Sequence, residues 1–316
     1  MSIITVFSGV FCNQESNIKT LLDRTGYTQL VDANIVAKAS KNSGLSESKI
    51  SRAFTGKTSV FNQFTHEKER SIAYLRLAAA ELLVEDKFLF RGFSSMLIPR
   101  EISHVLHLCL IADMKSRVAW AKQGQSLSDS EALKIIHKED EDRGIWIDAL
   151  FLKKDPWDPS LYDIMIPTDK LNSAEIAALV EKNLNRDIVQ PSPQSRQAAH
   201  DFLLAAQAGV ALAREGHNVG VSARQGVLTL TINKHVLMLS RLEDELPWNP
   251  RSVRGSIRPI STESSTLQSP PRSCWSMTSG NSCRPFRKGC CCGKWVRRWF
   301  MTGNPPCLWS RRMNRK

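Results

Sequence analysis

Two segments of this sequence leave the chain the least freedom. Residues 3–11 read Ile-Ile-Thr-Val-Phe-Ser-Gly-Val-Phe, and residues 105–112 read Val-Leu-His-Leu-Cys-Leu-Ile-Ala. Each is a nearly continuous apolar run without helical period, which is how a strand covered on both faces reads. Between and after them come segments with helical spacing, so the first 185 residues predict an α/β domain built on a parallel sheet. Residues 15–24 carry Ile18, Leu21 and Leu22 on one helical face, and Gly26 stands at the position that stops a helix. Further strands are predicted at 27–31, 87–90 and 162–167. Helices are predicted at 34–40, 46–53, 66–84, 128–143 and 173–184, that at 128–143 opening on a Ser/Asp cap.

A polar stretch at 186–195 with two prolines predicts a linker. A second unit follows at 196–248: a helix at 197–215 stopped by Gly216, and strands at 217–222 and 227–232 across a tight turn at 223–226. A further helix is expected at 238–245.

Charge divides the chain near position 250. The net charge of +12 looks like a nucleic-acid signal. Yet residues 251–316 hold 14 basic residues and a single acid, Glu263, leaving 29 basic and 30 acidic residues in 1–250. Six of the eight cysteines fall in the same tail (274, 283, 290–292 and 307). A nucleic-acid partner is therefore not expected. The body, with Cys12 and Cys109 alone, reads as a reduced, cytoplasmic protein. The apolar start is short, lacks a basic region, and is read as a buried strand and not as a signal peptide; no segment is apolar enough to span a membrane.

A strand leading through a loop into a helix is where many proteins hold phosphate, because loop and helix N–H groups converge there. Here the loop is Phe-Ser-Gly-Val-Phe-Cys-Asn-Gln-Glu-Ser over 7–16; it has one glycine and no lysine, so G-x-x-x-x-G-K-[ST] is not met. Gly56-Lys57-Thr58 has the last three letters of that motif but follows a predicted helix, and reads as a turn. The seven histidines show no ligand spacing, and no metal site is expected. Cys12 reads either as a thiol activated near a helix start or, more commonly, as a small buried residue.

Residues 1–185 resemble the cytidylate kinase-like branch of the nucleoside monophosphate kinases. The resemblance runs through GYTQLVDANIVAKAS (26–40), FRGFSSMLIP (90–99), IADMKSRV (111–118), EALKIIHKEDEDR (131–143) and WDPSLYDIMIPTDKL (157–171). It implies a P-loop kinase-like, five-stranded parallel sheet flanked by helices. It also implies transfer of phosphate from ATP, with Mg2+, to CMP or a related nucleoside monophosphate. Ser8, Gly9, Asn13, Gln14 and Ser16 would hold ATP, Asp32 and Arg91 the acceptor, and Arg117 and Arg143 would act in catalysis. Asp140 and Arg143 would belong to a mobile lid over ATP. The chain departs from the family where chemistry needs it most. Phe11-Cys-Asn-Gln14 fills the usually glycine-rich loop, and Arg91-Gly92-Phe93 stands where Gly-Arg is usual. Phosphoryl transfer is chiefly positioning and charge neutralisation, so these changes strike at catalysis and spare the fold. Two readings follow: an active kinase, or a catalytically silent nucleotide-sensing or scaffold protein of a bacterial two-component-type signalling pathway, with a signalling partner. Residue by residue the alternatives are Arg117 and Arg143 as surface arginines paired with Asp113 or Asp140, and Asp32 as a helix N-cap.

Through AGVALAREGHNVGVSARQGVLTLTINKHVLMLSRLEDEL (208–246), residues 196–247 resemble a BON domain, a small α/β module, and the resemblance implies ligand or partner binding. The 249–316 tail has no assignable periodicity and is expected to be disordered. It reads as a basic arm, as a weak zinc signal, or as sequence translated out of frame. Shifting 273–278 to the third codon base permits Leu-Leu-Val-Asp-Asp, which resembles the start of a response-regulator receiver domain, and this third reading is favoured.

Overall fold

The computed structural model describes residues 2–55, 66–84, 87–217, 219–232, 256–259 and 295–302. Its centre is a five-stranded parallel sheet in the order β2-β3-β1-β4-β5. The strands are β1 (Ile3–Ser8), β2 (Thr28–Val31), β3 (Phe88–Arg91), β4 (Val105–Ile111) and β5 (Ile164–Pro167). The two runs that constrain the sequence most, β1 and β4, lie side by side at the middle. All six residues of β1 are buried, as are the first six of β4. Alternation splits them between two cores. Ile3, Phe7, Val105 and Cys109 face one, and Ile4, Val6, Leu106, Leu108 and Leu110 face the other.

Helices cover both faces: α1 (Gln14–Thr25), α2 (Asp32–Ser43), α3 (Glu47–Ser51), α4 (Glu67–Leu82), α5 (Met114–Gln125), α6 (Asp129–Phe151), α7 (Ser173–Leu184) and α8 (Pro193–Arg214). Local signals set most of their ends. Gly26 closes α1 at φ 66°, its N–H reaching the Leu22 carbonyl at 2.8 Å. The Asn172 side chain caps α7 at both Ala174 and Glu175. Ser128 and Glu131 form a reciprocal capping box at the start of α6.

Several expected boundaries move, α8 starting at Pro193 inside the stretch expected as linker, and two of the shifts have a plain cause. The helix expected at 128–143 runs on to Phe151, because Trp146 and Ile147 are fully buried and tertiary packing outweighs the helix-weakening Gly144. The strand expected over 3–11 ends at Ser8, where the chain turns into the loop before α1.

Beyond α7, a short 3₁₀ turn, Asp187–Val189, lies in the stretch expected as linker, and Val189 is buried in the core shared with α1 and α7. α8 buries Phe202, Ala206 and Val210 in the core of the opposite face. Arg214 at its end donates to the Tyr74 hydroxyl at 2.8 Å. Its other side carries the hairpin of β6 (Gly220–Arg224) and β7 (Val227–Ile232), with Ala208 against Leu228. Two segments of the tail are strands. Trp295–Thr302 (β9) pairs antiparallel with β7, and Ser256–Pro259 (β8) with β9. The predicted helix at 238–245, the Gly56-Lys57-Thr58 turn and the remainder of the tail lie outside the described residues. No helix among the described residues is long and apolar enough to cross a membrane.

Candidate functional site

Ligands of open parallel sheets bind outside the carboxyl ends of the strands, where the strand order reverses. A cavity of about 340 Å³ lies there, lined by Phe7, Ser8, Gln14, Val31, Asp32, Ala33, Arg91, Gly92, Phe93 and Arg143. It gathers five of the nine site residues expected from the sequence: Ser8, Gln14, Asp32, Arg91 and Arg143. Gly9, Asn13, Ser16 and Arg117 are not among its lining residues.

Asp32 is the first residue of α2, but its carboxylate serves another element. It accepts the Phe93 N–H (2.9 Å) and the Ser94 N–H (2.7 Å), so it caps the 3₁₀ turn Phe93–Leu97 that follows β3. The N-cap of its own helix is Val31, whose N–H donates to Asn34. Burial raises the Asp32 pKa against the pull of these N–H groups. Arg91, the last residue of β3, makes a two-pronged ion pair with Glu15 in the first turn of α1 (Nη1 to Oε2 2.9 Å, with Nη2 on Oε1). That pairing holds the Glu15 carboxyl below its usual value.

The arginines expected in catalysis hold the loop. Arg117 on α5 is buried; its Nε donates to the Val10 carbonyl at 2.8 Å, and its two Nη atoms take both Asp140 oxygens at 2.7 and 2.8 Å. Arg143 on α6 is buried too. Its Nε donates to the Ser8 carbonyl at 2.8 Å, Nη1 reaches the Glu139 carbonyl and carboxylate, and its guanidinium lies over the Phe93 ring. Asp140 and Arg143 sit in the middle of the unbroken helix α6.

The loop backbone takes left-handed turns at residues other than glycine. Phe11 (φ 56°) and Asn13 (φ 48°) both adopt the left-handed conformation, which costs a non-glycine residue about 1 kcal/mol. The space beside Gly9 is taken: a Cβ there would meet Cys12 Sγ at 2.9 Å and the Arg117 guanidinium at 3.3 Å. With its amide turned to satisfy both ends, Gln14 donates to the Gly9 carbonyl (3.1 Å) and to Ser8 Oγ (2.5 Å), and accepts from Arg91 (3.2 Å). Cys12 is fully buried, and burial pushes its thiol up to about 11, which favours the neutral, packed form over the thiolate. The Ser16 hydroxyl points to Ser173 Oγ at 3.2 Å, at the start of α7.

Sequence reasoning missed Glu15, although the signal was there. Counted from Gly9, the G-x-x-x-x-G-K-[ST] spacing puts Gln14 at the second glycine, Glu15 at the lysine and Ser16 at the hydroxyl. A carboxylate therefore stands where a triphosphate needs a cation. Together with the filled loop, this donor set does not fit ATP and Mg2+. Among the described residues, no group of three or more His, Cys, Asp or Glu is placed to hold a metal ion.

A parallel sheet of this order, with a strand–loop–helix at β1 and a crevice at its carboxyl ends, defines the P-loop, nucleoside monophosphate kinase-like fold. The model of the cytidylate kinase-like family matches residues 3–170, and the chain belongs to that family. None of the curated proteins matches the chain. Among solved structures it is similar to an uncharacterized protein from Eubacterium ventriosum (10% identity, 59% of this chain and 100% of that one, TM-score 0.43). A shikimate kinase from Bacteroides thetaiotaomicron is 8% identical over 58% of this chain and 99% of its own, with a TM-score of 0.36. A sugar kinase from Janibacter is 10% identical over 60% and 99%, with a TM-score of 0.34.

Proposed function

We propose that the chain binds a nucleoside monophosphate, CMP or a near relative, in the cavity at the ends of β1, β2 and β3, and does not phosphorylate it. The observation that carries this reading is the Glu15–Arg91 pair beside a loop filled by Gln14, Cys12 and Arg117. The acceptor side keeps an open cavity flanked by two guanidinium groups, Arg91 and Arg143. The donor side has exchanged a cation for a carboxylate. Transfer of a phosphoryl group depends on charge neutralisation at the donor, so binding survives this exchange and turnover does not.

Titration calorimetry with CMP, dCMP, UMP and ATP, run beside a coupled assay for ADP release, tests the reading. The expected result is heat from one of the monophosphates, little from ATP, and no ADP release above background. ADP release that depends on CMP would restore the active kinase. Absence of binding by every nucleotide would leave a scaffold.

A further inference from the structure

The ion pair at the cavity mouth has two unequal members. The Arg91 side chain is 17% exposed and held by the sheet, whereas the Glu15 side chain is 79% exposed on the first turn of α1. Glu15 covers both Nη atoms of Arg91. These are the two N–H groups with which an arginine grips a phosphate in parallel, so Glu15 and a ligand phosphate compete for one fork. The other cavity arginine offers no equal grip, because Arg143 already spends Nε on the Ser8 carbonyl and Nη1 on Glu139. An anion that takes the parallel grip on Arg91 must therefore open the Glu15–Arg91 pair.

We propose that Glu15 is the specificity-determining residue of this cavity, selecting a ligand with a single phosphate against ligands carrying two or three in a row. This inference rests on the binding reading above and names the ligand class within it. The first phosphate replaces the Glu15 carboxylate on Arg91, and its charge is met by the Arg91 and Arg143 guanidinium groups that line the cavity. The displaced carboxylate stays tethered to the first turn of α1, beside Gln14 and the loop. A second phosphate extending from the first toward the loop enters the field of that free carboxylate. In the lysine-bearing loop a cation would stand there. At separations of about 6 Å in a mostly solvated site, each further phosphate charge costs about three- to tenfold in affinity. The mouth of the cavity is thus built to accept a phosphate monoester and to reject its di- and triphosphate.

The test uses the full-length chain with inorganic phosphate, pyrophosphate and tripolyphosphate as probes, their dissociation constants measured by calorimetry at fixed ionic strength and pH 8. In the wild-type protein affinity falls about three- to tenfold with each added phosphate. In E15Q all three bind more tightly than to wild type, and the order reverses, since only the favourable attraction to Arg91 and Arg143 remains. R91A weakens all three probes. Glu15 is exposed, so E15Q is expected to unfold at the same urea concentration as wild type, and this is checked alongside. If anions bind but wild type and E15Q show the same dependence on phosphate number, the selectivity role is overturned and the binding reading stands. If neither protein binds any of the three anions, both fall.

Discussion

At Gly92 the backbone sits at φ 105° and ψ −156°, a conformation open essentially to glycine alone. The position is closed to a side chain for a second reason: a Cβ there would overlap the Asp32 carboxylate. That carboxylate lies so close because it accepts the next two N–H groups, those of Phe93 and Ser94. Gly92→Ala is therefore expected to cost about 3 kcal/mol or more, from backbone strain plus the displaced cap. Part of the cost depends on Asp32, so G92A/D32A should be less destabilised than the sum of the single variants. Urea midpoints of the four proteins measure this, and strict additivity would refute the coupling. The glycine and the aspartate are both plain in the sequence, in FRGFSS and LVDANIV. Their juxtaposition across 59 intervening residues exists only once β2 and β3 are paired in register, Val31 beside Arg91.

Among the elements, the hairpin of β6 and β7 shows how a local signal and a distant side chain divide the labour. Gln225 (φ 52°) and Gly226 (φ 76°) form a two-residue turn with both angles positive, the geometry that suits the twist of paired strands. Their N–H groups donate to the carboxylate of Asp201 on α8, at 2.5 and 2.8 Å, and Asp201 is buried. Replacing Asp201 by Ala leaves two turn N–H groups without this acceptor, at an expected cost of about 2 kcal/mol. The loss should be confined to the hairpin. Amide exchange at Gln225 and Gly226 accelerates, while amides in β1 and β4 keep their protection; unchanged exchange at the turn would contradict the assignment. The sequence placed a turn at 223–226; Ala223 and Arg224 instead extend β6, leaving Gln225 and Gly226 as the turn. That α8 faces two ways, toward the hairpin through Ala208 and toward the sheet core through Phe202, Ala206 and Val210, was not readable in the sequence. Its apolar residues ring more of the helix than one partner requires, and periodicity alone does not name the partners.

For the whole molecule, a buried histidine in the sheet contributes to instability in acid. His107 on β4 faces Thr5 on β1, Nδ1 to Oγ1 2.9 Å, with Asp163 accepting its backbone N–H and Arg100 on that same carboxylate. Burial pushes the imidazole down to about 4, outweighing the upward pull of Asp163. The unfolded chain takes up this proton near pH 6.5 and the folded one only near pH 4. His107 thus leaves stability untouched above pH 6.5 and erodes it as pH falls through that window, by about 3 kcal/mol in all. Urea unfolding from pH 7.5 to pH 4.5 should show this slope in the wild type and a shallower one in H107Q; equal slopes would dismiss it. The sequence by itself determined the parallel α/β class, the strands β1 and β4, most helix ends and the family, because burial on two faces and backbone caps are written in residues a few positions apart. It also held the altered phosphate loop, in the count from Gly9 to Glu15. Only the tertiary structure decided what the charged residues do. Arg117 and Arg143 clamp loop carbonyls, Glu15 answers Arg91, and Asp32 caps a distant turn, since a hydrogen bond or ion pair is chosen by proximity in space, and sequence order alone does not give that proximity.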